Sequence, residues 1–325
     1  MQAIDYQCYG SPDVIRQIDS IRPVAKDGEI QIKVHAAAVN PYDWHYLRGS
    51  PYIMRLLSGI GSPKDNRLGV DFSGTVTALG PGVKNFKIGD GVIGASSGAF
   101  AEYLTMNENR GVVKKPENIT FQQAASVPIA AITALQALRD KGQLRAGQKV
   151  LINGASGGVG TFAVQIAKAM GAQVSGVCSS RNVEMVKSIG ADYVIDYKKE
   201  NYTTAGKQYD LILDMVGNHS LLANRKAMSS SATLVMVGGP KGNWIAPLIG
   251  LLKAPLVSLF VEQNFVELLA EISKEDLNYL AELMAEGKVV PVIDRLYPLA
   301  EVADAIRYSE TGRARGKIII EIESG

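Results

Sequence analysis

The fold is decided by the stretch Val150-Leu-Ile-Asn-Gly154-Ala-Ser-Gly157-Gly158-Val-Gly160. An apolar strand, Lys149–Asn153, runs into a glycine-rich turn that opens a helix over Val159–Met170. This context turns a weak glycine pattern into a dinucleotide-binding one. Backbone without a Cβ lets a pyrophosphate approach the turn, and amide hydrogens at the helix start point at its charge. Ala155, Ser156, Gly157, Gly158 and Val159 are therefore candidate cofactor-binding residues, and Gly160 lets helix and strand pack closely. Aligned on Gly157 and Gly160, the first glycine of the usual fingerprint is replaced by Ala155.

The next strand, Gln173–Cys178, ends at Ser179-Ser180-Arg181. An NAD enzyme places a carboxylate here for the ribose 2′-hydroxyl. Hydroxyls and a guanidinium suit a 2′-phosphate instead, so the expected cofactor is NADPH. Tyr197, closing the third strand, is expected beside the same phosphate or the adenine.

The turn also spells G-x-S-x-G, the nucleophile elbow of α/β hydrolases, and the order Ser156…Asp214…His219 imitates a triad. Three features oppose a hydrolase. His219 follows Asp214 by five positions, no βα alternation precedes Lys149, and no HGGG-type segment occurs upstream.

Outward from the turn, strands and helices alternate. Strands are expected at Tyr193–Asp196, Asp210–Met215 and Thr233–Val237, with helices at Val183–Ile189 and Leu221–Met228. Such βα repeats make a parallel sheet covered on both faces. Upstream, Glu29–His35 alternates apolar and polar residues as a half-buried strand does. Short strands follow at Asp71–Ala78, Gly91–Ala95 and Ala99–Thr105, punctuated by Gly80-Pro-Gly82 and Gly89-Asp-Gly91. Phe121–Asp140 reads as helical, Lys274–Glu286 as an amphipathic helix and Lys317–Ile322 as a strand. The expected architecture is α/β: a β domain built from residues 1–124 and 266–325, with a nucleotide-binding domain, 125–265, inserted between.

Composition narrows the function. The chain has 325 residues, and its 34 Lys and Arg against 32 Asp and Glu leave a charge of +2, which gives no reason to expect nucleic acid or an anionic membrane as partner. The two cysteines cannot make a disulfide framework, so a reducing, cytoplasmic setting is expected. Three histidines never reach metal-ligand spacing with them, so no metal is expected. Trp244–Val261 is the most apolar stretch, but Pro247, Lys253 and Pro255 interrupt it, so peripheral membrane contact is not favoured.

Five blocks carry a resemblance: Ala36-Ala-Ala-Val-Asn-Pro-Tyr-Asp43, Gly69-Val-Asp-Phe-Ser-Gly74, Val83-Lys-Asn-Phe-Lys-Ile-Gly-Asp90, Val127-Pro-Ile-Ala-Ala-Ile-Thr-Ala-Leu-Gln136 and Ala155-Ser-Gly-Gly-Val-Gly160. Over essentially its whole length the chain resembles the zinc-free quinone oxidoreductase branch of the medium-chain dehydrogenase/reductase superfamily, and within it the chloroplast-envelope quinone oxidoreductase-like proteins. The resemblance implies a GroES-like β-barrel domain with an inserted Rossmann domain, and a homodimer. It also implies hydride transfer from NADPH to a small quinone or to the β-carbon of an α,β-unsaturated carbonyl. Where zinc-dependent relatives carry Gly-His-Glu, this chain has Gly69-Val70-Asp71. An activated alkene carries its own electron sink, so its reduction needs no metal. A non-catalytic NADPH-binding sensor or partner protein is the alternative from another class.

The same resemblance implies the roles of individual residues. Asn40 matches the family asparagine beside the nicotinamide, and Thr133 the threonine near the phosphates or ribose. Either His45 or Tyr46 is implied as donor of a proton to the developing enolate. Val216, Val237, Gly238 and Gly239 end two strands at their carboxyl edges, where open α/β sheets bind ligand. Trp244–Leu252 is expected to wall the acceptor pocket, with Trp244 touching substrate, and Leu256–Val261 to pair across the dimer.

Overall fold

The computed structural model describes residues 1–238 and 261–322. Gly239, Trp244 and all of Leu256–Val261 except Val261 lie outside these described residues. Among the described residues the chain forms two compact units, residues 1–132 with 272–322, and residues 133–238 with 261–271.

In the first unit β1 (Gln2–Tyr6) and β2 (Ile15–Asp19) form a separate antiparallel ribbon. The main sheet uses β3 (Glu29–Val39), β4 (Asp71–Leu79), β5 (Gly91–Ala95), β6 (Tyr103–Asn107) and β7 (Val112–Lys114), joined from the distal end of the chain by β14 (Ile293–Pro298) and β15 (Lys317–Glu321). Its order is β14-β15-β3-β4-β5-β7, with β6 also on β3. The alternation in Glu29–His35 places Ile30, Ile32 and Val34 in the core with Phe72, Val76 and Phe100. The strand then continues to Val39 because Ala36–Val39 is small and apolar on both faces. Ala36 and Ala38 pack with Ala125 and Ile319, whereas Ala37 and Val39 join the main core. β15 lies antiparallel to this stretch, Ile319 opposite Ala38, which brings the last described strand beside the C-terminal end of β3.

The second unit is built on β8 (Lys149–Asn153), β9 (Gln173–Cys178), β10 (Tyr193–Asp196), β11 (Tyr209–Asp214), β12 (Met228–Met236) and β13 (Asn264–Glu267). All pairs are parallel, in the order β10-β9-β8-β11-β12-β13. Counted from β8 this is 3-2-1-4-5-6, the doubly wound order whose direction reverses between the first and fourth strands, here β8 and β11.

The helical reading of Phe121–Asp140 is borne out as separate segments, Phe121–Ala125 and Pro128–Gln136, followed by a wider turn over Ala137–Lys141. Pro128 has no N–H for a continuing helix and starts a new one instead. Two other local expectations are corrected. The strand read at Ala99–Thr105 begins at Tyr103, and Ala101 makes only a single bridge to Ala3. The helix read at Leu221–Met228 stops at Arg225, because Met228 already pairs with Tyr209.

Candidate active site

The β8 turn solves its missing glycine one position early. Gly154 has φ +93°, so it supplies the left-handed turn at the strand end. Ala155 is buried and donates its N–H to Val177 O at 3.0 Å. Its methyl is accommodated because Gly176 opposite has none; a Cβ there would lie 3.0 Å from Ala155 Cβ and 2.6 Å from Val186. A Cβ on Gly160 would lie 2.1 Å from Gly154 O, so this position demands glycine. At Gly157, which caps the helix Gly158–Ala169, a Cβ would meet only Gly154 O at 3.5 Å. Open space therefore lies beside the first amides of that helix, those of Gly158 and Val159, which have no partner inside it. This cradle fits a pyrophosphate. Ser156 Oγ accepts a hydrogen bond from Asn182 Nδ2 at 2.8 Å.

Beyond β9, Ser179 is half-buried while Ser180, Arg181 and Tyr197 are exposed. The register sets Asp196 of β10 opposite Cys178, so Asp196 stands beside this loop. Ser180 Oγ donates to Asp196 Oδ2 at 2.6 Å. That bond, first among several, holds the carboxyl below its ordinary range. The sequence shows Asp196 as a strand end; only the parallel pairing of β9 and β10 reveals it as a neighbour of Ser180.

At the switch point Asn153 Nδ2 donates to Asp214 Oδ1 at 2.9 Å and to Asn218 Oδ1 at 2.9 Å. The same Asp214 oxygen accepts the N–H groups of Val216 at 3.0 Å and Gly217 at 2.9 Å. Asp214 O takes the N–H of Val237 at 2.9 Å and of Gly238 at 3.2 Å. A Cβ on Gly238 would sit 2.3 Å from Met215 O, so the two strand ends touch backbone to backbone. This geometry overturns the hydrolase alternative. Asp214 serves Asn153 and the turn amides, Ser156 is bonded to Asn182, and His219 packs edge-on against Tyr202 at 4.9 Å. No hydrogen bond links the three supposed triad members. Thr133 is buried in the helix Pro128–Gln136.

In the first unit, Asn40 caps the helix Pro41–Arg48. The local sequence suits a helix start, with a proline at the first position and an aspartate at the third. Asp43 Oδ2 accepts the Asn40 N–H at 2.7 Å and Asp43 Oδ1 the Gly69 N–H at 3.2 Å. The Asn40 amide is fully engaged. Nδ2 donates to Asp71 Oδ2 at 2.9 Å and to Ala38 O at 3.3 Å, and Oδ1 accepts from Lys317 Nζ at 2.5 Å. Asp71 also accepts the Ile129 N–H at 3.0 Å and lies 3.6 Å from Lys317 Nζ. All four side chains are buried. Burial pushes the Asp43 carboxyl up to about 7. It raises Asp71 against the opposing pull of Lys317, and lowers Lys317 against the pull of Asp71. In this arrangement Asn40 has no N–H left for a substrate carbonyl. Asp43, Asp71 and Lys317 were not singled out from sequence as members of one cluster.

His45 and Tyr46 follow on the same helix, both half-buried. His45 Nδ1–H donates to Ser50 O at 2.7 Å, and burial lowers the imidazole pKa. Neutral His45 then keeps a bare Nε2, an acceptor rather than an acid. Tyr46 stacks on Tyr42 at 4.2 Å and carries an O–H. Among the described residues no group of three His, Cys, Asp or Glu is arranged to hold a metal ion, and no helix is long and apolar enough to cross a membrane.

Comparison with known proteins agrees with this construction. Residues 26–117 match the alcohol dehydrogenase GroES-like domain family and residues 189–320 the zinc-binding dehydrogenase family. The chain is 34% identical to the chloroplast envelope quinone oxidoreductase homolog of Arabidopsis thaliana, over 99% of this chain and 98% of that one. It is 32% identical to the chloroplastic NADPH-dependent alkenal/one oxidoreductase of the same plant, over 98% and 79%. The solved structure of the quinone oxidoreductase from Coxiella burnetii superposes with a TM-score of 0.87 at 32% identity, covering 99% of each chain. A GroES-like domain and a Rossmann-like domain thus make up the chain, which belongs to the quinone oxidoreductase-like branch of the medium-chain dehydrogenase/reductase superfamily.

Proposed function

We propose that this protein is an NADPH-dependent reductase that delivers hydride, without a metal, to a quinone or to the activated double bond of an α,β-unsaturated carbonyl. The observation that carries this reading is the cradle at Gly157–Val159, open where a Cβ would stand and lined by helix-start amides. Ser156 and these amides would hold the pyrophosphate, and Arg181 and Tyr197 the adenosine end. When bound, the nicotinamide supplies the hydride. Val216 and Gly238, on turns fixed by Asp214, would shape its surroundings.

The donor set supports metal independence. Val70 stands where zinc-dependent relatives have histidine. Asp71 is spent on Lys317, Asn40 and the Ile129 amide, so it is not a ready ligand. Tyr46 is the better proton donor of the two candidates, because neutral His45 presents only an acceptor at Nε2. The relatives named for quinones and for alkenals or enones support both acceptor classes.

Steady-state oxidation of NADPH and NADH with methyl vinyl ketone and with 1,4-benzoquinone tests the reading. Turnover with at least one acceptor and a preference for NADPH is expected. Absence of turnover with every acceptor, at cofactor concentrations that saturate binding, would leave a binding protein and no reductase.

A further inference from the structure

We infer that Asn182 is a positioning residue that turns the Ser156 hydroxyl into a donor for the cofactor's phosphates. The inference rests on the cofactor reading above. Asn182 ends the short turn Ser180–Asn182 and is 4% exposed. It reaches from the β9 loop to the β8 turn and donates Nδ2 to Ser156 Oγ at 2.8 Å. A serine hydroxyl has one proton and two lone pairs. With Asn182 filling a lone pair, the proton must point elsewhere, and no other group among the described residues bonds Ser156. The hydroxyl is thus set to donate beside the amides of Gly158 and Val159, where an anion needs donors.

The second observation is the other end of the same amide. Asn182 Oδ1 is buried and has no partner. A buried acceptor left unpaired is costly, so the amide is held for what its N–H does. Were it reversed, Ser156 would donate to Oδ1 and offer the phosphate only lone pairs. The bond also ties the two loops that flank the adenosine half of the cofactor, so phosphate binding and ribose binding share one support.

A double-mutant cycle on NADPH affinity, read by fluorescence titration, tests this. Asn182→Ala and Ser156→Ala should each weaken binding roughly tenfold. The double variant should bind no more weakly than Ser156→Ala, because Asn182 acts through that hydroxyl. A purely structural role for Asn182 would weaken binding in either background, and the losses would multiply. Multiplying losses, or Asn182→Ala binding like wild type, would overturn the inference while the cofactor reading stands. If Asn182→Ala does not fold, Asn182→Asp, which keeps the side chain's size and shape but replaces the N–H donor with an acceptor, repeats the cycle. A wild type that binds neither NADPH nor NADH would overturn both.

Discussion

Each unit ends a strand pair with a buried aspartate bonded to an asparagine, yet the two are satisfied by opposite means. Asp214 takes Asn153 and two amides of its own turn, all neutral donors on adjacent strand ends. Asp71 takes Asn40, one amide and the ammonium of Lys317, which arrives from the far end of the chain. The first is a local turn at the carboxyl edge of the parallel sheet. The second is a buried ion pair that clasps β15 to the end of β3 and β4, with Asp43 as a second carboxylate close by. Neutral donors tolerate loss of one member; a buried charge does not.

The largest effect should therefore come from Lys317→Met, which strands Asp71. It should cost about 3–5 kcal/mol of stability in chemical denaturation, and adding Asp71→Asn should restore most of it. A loss under about 1 kcal/mol for the single variant would place the two clusters in the same class.

The pH response sharpens the contrast. Asp43 ionises near the ordinary carboxyl range when unfolded and near 7 when folded. Between those values the folded state keeps a proton the unfolded state has lost, so stability should fall as pH rises from about 4 to 7. Asp43→Asn should flatten that slope even if it lowers overall stability, as denaturation midpoints across the window would show.

Asn153→Ala should be milder than Lys317→Met. It removes one donor from Asp214 and leaves two amides, a cost of about 1–2 kcal/mol. A loss as large as that of Lys317→Met would mean that Asp214 depends on Asn153 as Asp71 depends on its cation.

The smallest effects concern cofactor choice. Arg181→Ala should weaken NADPH binding by about 1.5 kcal/mol, the low end for a charged bond because the residue is exposed, and leave NADH nearly unchanged. Asp196→Asn should act in the other direction, improving NADPH affinity roughly two- to fivefold by removing a carboxylate beside the phosphate. Titrations of both variants with both cofactors check the pair.

The same contrast explains what could be read from residues alone. The β8 turn is legible because its parts are contiguous: Gly154, Gly157 and Gly160 each answer a steric demand within a few positions. The parallel sheet is legible in the βα repeats, but the Asn153–Asp214 contact depends on the strand order that sets β8 beside β11. Lys317 reads only as the start of a β-branched strand, since nothing local links it to Asn40, 277 positions away. Asp196 was visible as a strand end but not as a companion of Ser180, because that depends on strand pairing.

The central claim, metal-independent hydride transfer to an activated double bond, is tested most directly by following the hydrogen itself. Chelator-treated enzyme is given NADPH deuterated at the transferred position of nicotinamide C4 and a simple enone, and the product is examined by NMR. The account predicts deuterium on the β-carbon at an undiminished rate. Product without deuterium there, or turnover lost to the chelator and restored by zinc, would contradict it.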